Sequence, residues 1–180
     1  AVARVGGALG LDVVGVEDGY EGLIAGRVVP LDLRALDEAA RRGGTALGTA
    51  RSAAFRSDEG RARARQVIDR ERLRALVVVG GNGSLTGAQL LDGALRVAGV
   101  PASIDNDLGA TSMCIGVDTA LNTIVEACDR ISDTASAHRR IFIVEVMGRQ
   151  CGYLAMRAGI AAEADAILYA EKQMSEDVLV

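Results

Sequence analysis

Asp105 and Asp107 flank a single amide, Asn106, at the end of the apolar run LRVAGVPASI, and Gly109 and two hydroxyl residues follow. Carboxylates at this spacing suit proton transfer, with one as general base and the other holding a hydrated cation or a neighbouring donor. An extended backbone would turn them to opposite sides, and an Asx-turn or helix cap is the competing role for Asp107. A second polar cluster, Gly80-Gly81-Asn82-Gly83-Ser84, ends the run ALVVV. Glycines between a strand and a helix allow close backbone approach, and the helix start offers N–H groups to an anion. The alternative is a tight turn with Ser84 as helix cap. The cluster matches neither the dinucleotide fingerprint G-x-G-x-x-G nor the P-loop, which ends in Gly-Lys-Ser/Thr.

Arg149 follows Met147-Gly148 in the same way, and Arg139-Arg140 precede that run. A guanidinium can donate two hydrogen bonds at once to phosphate oxygens, although a lone surface arginine is more often solvated. His138, the single histidine, has no partner by spacing and suits a helix terminus better than catalysis. A base, an anion cradle and arginines without a nucleophile triad point to phosphoryl transfer.

The elements that would position these clusters alternate along the chain. Short apolar strands are expected at 11–19, 75–84, 97–104, 141–148 and 165–171, with helices at 33–42, 58–73, 84–96 and 118–135 and through Ala161. Uniformly apolar strands between helices imply parallel pairing buried on both faces, hence an α/β, doubly wound, mostly parallel sheet with flanking helices. Ligands of such sheets bind beyond the carboxyl ends of the strands, where all three clusters fall.

The remaining composition excludes more than it selects. The 180 residues are 49% hydrophobic and 24% charged with a net charge of -4, which offers no basic footprint for nucleic acid. No apolar run approaches a membrane span and no leader pattern opens the chain, so a soluble, cytoplasmic protein is expected. Cys114, Cys128 and Cys151 lie in no C-x-x-C pair and are expected to be reduced structural thiols. The chain opens on Ala1 within a helical pattern, as though an earlier strand and loop preceded it.

Five segments, RGGTALGTAR, VVVGGNGSLTGA, PASIDND, IGVDTALNTIVEACDRISDTASAH and IVEVMGRQCGYLA, follow in an order and spacing that resemble the 6-phosphofructokinase family along essentially the whole chain. The resemblance implies transfer of the γ-phosphoryl group of ATP to the 1-hydroxyl of fructose 6-phosphate in glycolysis, with Mg²⁺, by a homotetramer. It implies a nucleotide-binding lobe over 1–118, lacking its first strand and Gly-rich loop, and the start of a sugar-phosphate lobe over 119–180. Asp105 is then similar to the catalytic base, with Ser103 and Ile104 beside it on the substrate, and Asp107 to the aspartate that orients Asp105 and the hydrated metal. Arg140 resembles the arginine that reaches the sugar 6-phosphate in a neighbouring subunit. Met147, Gly148 and Arg149 resemble the segment lining the sugar, with Arg149 stabilising the transferring group. Tyr20, Arg51, Ser52, Phe55 and Arg56, together with Gly81, Asn82, Gly83 and Ser84, fall where the family holds ATP.

Gly83 and Ala102 favour ATP as donor, since diphosphate-using relatives generally carry Asp and Lys at these places. Asn82 departs from a family aspartate that helps bind Mg²⁺, and Ser132 from an effector-binding arginine, which argues against regulation by ADP or phosphoenolpyruvate. The chain is about half of an ordinary bacterial member by this comparison, and alone is expected to be inactive. A phosphofructokinase-like binding or regulatory subunit is the alternative function, and a Rossmann oxidoreductase ranks below it.

Overall fold

The computed structural model describes residues 1–91, 93, 95–109 and 111–172. It divides into two compact units, one of residues 1–77 and 86–98 and the other of residues 78–85 and 99–180.

The first unit begins with helix α1 (Val2–Ala8), strand β1 (Val14–Val16), α2 (Gly19–Ala25), β2 (Val28–Pro30) and α3 (Leu33–Ala39). β1 and β2 pair antiparallel, with Gly15 opposite Val29. Helix α4 (Asp58–Arg70) follows a single 3₁₀ turn at Ala54–Arg56. The Ser57 side chain accepts from the Gly60 N–H at 3.1 Å and so caps α4, while Asp58 and Glu59 place negative charge in its first turn. Gly60, Ala64, Val67 and Ile68 are its buried residues, an i, i+4, i+7, i+8 stripe, and the arginines between them form ion pairs such as Arg63–Glu59 at 2.7 Å. Leu23, Phe55, Ala64, Val67, Ile68, Leu91 and Leu95 form the core of this unit.

Strands β3 (Ala75–Gly80) and β4 (Arg96–Pro101) are neighbours and run from the first unit into the second. The Arg96 N–H donates to the Arg74 carbonyl at 3.4 Å and the Ala102 N–H to the Gly80 carbonyl at 2.9 Å. The sequence offset is the same at both ends, so the pair is parallel. Between the strands lies α5 (Asn82–Gln89), and the second unit continues with α6 (Val117–His138) and α7 (Tyr153–Ala161), which pack on each other. Leu154 and Ala158 supply the buried positions of α7, at an i, i+4 spacing.

The α/β class expected from the sequence holds, with three local differences. β1 pairs antiparallel with β2, a strand that was not expected, where the pairing was expected to be mostly parallel. β3 is not buried on both faces: Val77 and Val79 are exposed and the residues between them half-buried, the period of two of a one-sided strand. Residues 141–148 form no strand, and of 165–171 only Tyr169 enters a bridge, to Lys172. Ile141 and Ile143 are 95% and 93% exposed. An apolar run becomes a strand only where a neighbour takes its backbone N–H and C=O groups, and no described residue does so at 141–147.

Candidate functional site

The Gly-rich cluster and the Asp-Asn-Asp segment leave the carboxyl ends of adjacent strands, β3 and β4, and both lie in the second unit. Helix α5 starts at Asn82, two residues before the position expected, because the Gly81 carbonyl already accepts from the Leu85 N–H at 3.0 Å. Ser84 therefore sits inside the helix and is not its cap. A Cβ on Gly81 would lie 3.3 Å from the Ser103 Cβ, and one on Gly80 2.7 Å from the Ser84 side chain, so both glycines serve close backbone approach. A Cβ on Gly83 would meet nothing within 4 Å. That glycine is not required by packing.

The segment after β4 does not stay extended. The Asn106 N–H donates to the Ser103 carbonyl at 3.2 Å, and Asn106 adopts a left-handed φ of 51°, a conformation Asn tolerates better than most residues. Its side chain then closes the following loop, accepting from the Cys114 N–H at 2.8 Å and donating to the Ser112 carbonyl at 3.2 Å. This turn brings Asp107 onto Asn82, whose Nδ2 donates to Asp107 Oδ2 at 2.7 Å. Asp105 is half-buried and Asp107 exposed, so the two carboxylates have different surroundings.

A third segment joins the same place. The Cys151 thiol donates to the Asp105 backbone carbonyl at 2.9 Å. Gly148 and Cys151 form a turn closed by a 2.8 Å backbone bond, with Gly148 at φ 145° and Arg149 at φ 49°. A Cβ on Gly148 would fall 2.3 Å from the Cys151 carbonyl oxygen, so only glycine fits. The N-cap of α7, Gly152, donates its N–H to the Glu171 carboxylate at 2.8 and 2.9 Å. Cys151 was expected to be a structural thiol, and its link to Asp105 spans 46 residues, a separation that no sequence spacing signals.

Arg140 follows the left-handed end of α6 at Arg139, and both are exposed, as are Met147 and Arg149. Among the described residues, the guanidinium groups of Arg140 and Arg149 make no hydrogen bond or ion pair. Ile104, beside Asp105, is half-buried. His138 is the last residue of α6, the helix-terminal place expected for it.

Tyr20, Arg51, Ser52, Phe55 and Arg56 belong to the first unit. Arg51 and Arg56 are exposed. Phe55 is 4% exposed and stacks on Tyr20 with ring centroids 4.1 Å apart. It is therefore a core residue by environment. Burial pushes the Tyr20 hydroxyl up to about 12. Ser52 Oγ accepts from the Phe55 N–H at 3.2 Å and so fixes the turn that carries Phe55.

Among the described residues no three His, Cys, Asp or Glu side chains gather to form a metal cage. The exposed Asp107 carboxylate is of the kind that holds a hard cation such as Mg²⁺ together with water and substrate phosphates, whereas Asn82 turns its NH₂ group, not its oxygen, to Asp107. No helix of the described residues is long and apolar enough to cross a membrane.

The phosphofructokinase family model matches residues 1–180. The chain is 50% identical over 173 residues to the ATP-dependent 6-phosphofructokinase of Thermotoga petrophila, covering 95% of this chain and 54% of that protein. It is 46% identical to ATP-dependent 6-phosphofructokinase 1 of Clostridium perfringens, covering 100% of this chain and 57% of that protein. The chain thus spans little more than half the length of these relatives. The crystal structure of Pichia pastoris phosphofructokinase in the T-state aligns with a TM-score of 0.85 at 38% identity, over 97% of this chain and 22% of that one. A pyrophosphate-dependent phosphofructokinase from Marinobacter aquaeolei aligns at 0.82 with 23% identity, over 99% of this chain and 49% of that one, which shows the fold alone. The chain belongs to the phosphofructokinase family.

Proposed function

We propose that the full-length protein transfers the γ-phosphoryl group of ATP to the 1-hydroxyl of fructose 6-phosphate, giving fructose 1,6-bisphosphate and ADP. The observation that carries this reading is the meeting of three polar turns, after Gly80, after Pro101 and at Gly148–Cys151, around Asp105. Asp105 takes the proton of the sugar hydroxyl as its oxygen bonds to phosphorus and the bond from phosphorus to the ADP oxygen breaks. Ser103 and Ile104 line the acceptor, Arg149 faces the negative charge that develops on the phosphoryl oxygens, where fixed donors and positive charges contribute most, and Asp107 orients Asp105 and the hydrated metal. Mg²⁺, when bound, neutralises phosphate charge, and Asp107 would hold it together with water and substrate phosphates.

The proposed nucleotide contacts are Gly81 to Ser84 in the second unit and, in the first, the exposed Arg51 and Arg56, beside which Ser52, Tyr20 and Phe55 lie. Residues 1–118 serve the nucleotide and 119–180 the sugar phosphate, with Met147 and Gly148 along the sugar and Arg140 reaching its 6-phosphate in a neighbouring subunit of a tetramer. The names of the bacterial relatives support ATP as donor, and a cytoplasmic, glycolytic setting goes with that activity. A coupled assay of the full-length protein with ATP, fructose 6-phosphate and Mg²⁺ tests the reading. Sustained ADP release that requires the sugar phosphate is expected, and ligand binding without turnover would favour a regulatory subunit.

A further inference from the structure

The contact between Asn82 and Asp107 has a direction that chemistry fixes. An ionised carboxylate only accepts, so the group 2.7 Å from Asp107 Oδ2 must be the amide NH₂ of Asn82. The backbone is built to allow it. Gly81 lets the turn after β3 approach Ser103, and the left-handed Asn106 carries Asp107 back toward Asn82.

We propose that Asn82 is a positioning residue: its donated hydrogen bond holds Asp107 in place and bridges the turns after β3 and β4 with no divalent cation between them. The inference deepens the proposed phosphoryl-transfer site and rests on that reading for its bearing on catalysis. An aspartate at position 82 could not make this contact. Two carboxylates this close both accept and repel each other, so they need a proton or a cation between them. With asparagine the turns are joined by the protein itself, and a cation arrives with the phosphates of the nucleotide. The protein alone therefore binds divalent cations weakly at this place, and Asp107 keeps its position without them.

The test uses the full-length protein without nucleotide and Mn²⁺ alone as probe, with free Mn²⁺ followed by electron paramagnetic resonance. Asn82→Asp should bind one Mn²⁺ at least about tenfold more tightly than the unaltered protein, as a second carboxylate joins a hard-cation site. Adding Asp107→Asn to that variant should remove the gain. Equal Mn²⁺ affinity in all three proteins would overturn the proposal, because the two side chains would then not be neighbours in the free protein. A kinetic arm distinguishes positioning from folding. Asn82→Ala should lower kcat several-fold with little change in the KM for fructose 6-phosphate, and excess Mg²⁺ should not restore it, whereas Asn82→Asp should regain turnover as Mg²⁺ rises. An Asn82→Ala protein with unaltered kcat also counts against the proposal. If the unaltered protein shows no kinase activity, the functional reading fails while the Mn²⁺ measurement still decides the positioning role.

Discussion

Cys151 and Asp105 are joined by a thiol-to-carbonyl hydrogen bond of 2.9 Å, which ties the turn before α7 to the proposed base. The bond falls on the backbone of Asp105, so it fixes where the residue stands and leaves its carboxylate available. A thiol is a weak donor, and an ordinary hydrogen bond contributes about 0.5–1.5 kcal/mol. Cys151→Ala should therefore lower kcat by roughly 2- to 12-fold, with substrate KM values nearly unchanged. Cys151→Ser, which keeps a donor, should stay closer to the unaltered protein. Steady-state kinetics of both variants check this, and equal kcat in all three would show that the tether does not bear on turnover.

Removing the base itself should be far more costly. Asp105→Ser in the full-length protein is expected to lower kcat by about 10²-fold or more, the contribution typical of a positioned proton acceptor. A base acts mainly in the transition state, so the KM for fructose 6-phosphate should change much less. Near-normal turnover would take Asp105 out of that role.

Phe55 and Arg56 are neighbours with opposite expectations. Phe55 is buried among Leu23, Val67 and Ile68 and stacked on Tyr20, so Phe55→Ala should cost about 3–5 kcal/mol of stability. Arg56 is exposed, and Arg56→Ala should change stability by no more than about 0.5 kcal/mol while weakening ATP binding. Denaturant unfolding together with an ATP titration of both variants separates the core residue from the ligand contact.

Much of the site's frame was legible in the sequence because apolar runs ending in glycines or acids mark strand ends directly. β3, β4, α4 and α6 lie where that pattern and helical periodicity placed them, within a few residues. The pairings were not legible. β1 and β2 are three residues each and are separated by α2, so no hairpin turn announces them. The run IFIVEV reads like ALVVVG, yet ALVVVG has β4 beside it and IFIVEV has no paired neighbour among the described residues. In the site, Asp107 meets Asn82 across 25 residues through the left-handed turn at Asn106, which an extended backbone would have prevented.

Tyr20 predicts a pH dependence. Burial raises its hydroxyl from the ordinary 10.0 to about 12, so in the unfolded chain it loses its proton first. Between these values the unfolded state binds fewer protons than the native one, and stability falls as pH rises. The contribution is complete below pH 10 and is lost through about pH 12. Unfolding midpoints of the full-length protein measured across this window should fall more steeply than those of Tyr20→Phe. Parallel curves would show that Tyr20 titrates alike in both states.

Gly83 tests donor choice without disturbing the fold. It lies in the first turn of α5 with open space where a Cβ would go and no left-handed φ, so neither packing nor backbone conformation demands glycine there. Glycine inside a helix costs roughly 0.5–1 kcal/mol relative to alanine, so Gly83→Ala should stabilise the protein by about that amount. A position that could be made more stable and is left bare points to space kept for a ligand. Gly83→Asp should fold normally for the same reason, but its side chain would enter that space and bring a negative charge toward the nucleotide phosphates. The expected result is a rise in the KM for ATP of about tenfold or more, which corresponds to about 1.4 kcal/mol of lost binding, with little change in unfolding midpoint. ATP should support the reaction of the unaltered protein and inorganic diphosphate should not. A Gly83→Asp protein that uses ATP as well as the unaltered one would mean that the open space is not where the nucleotide lies.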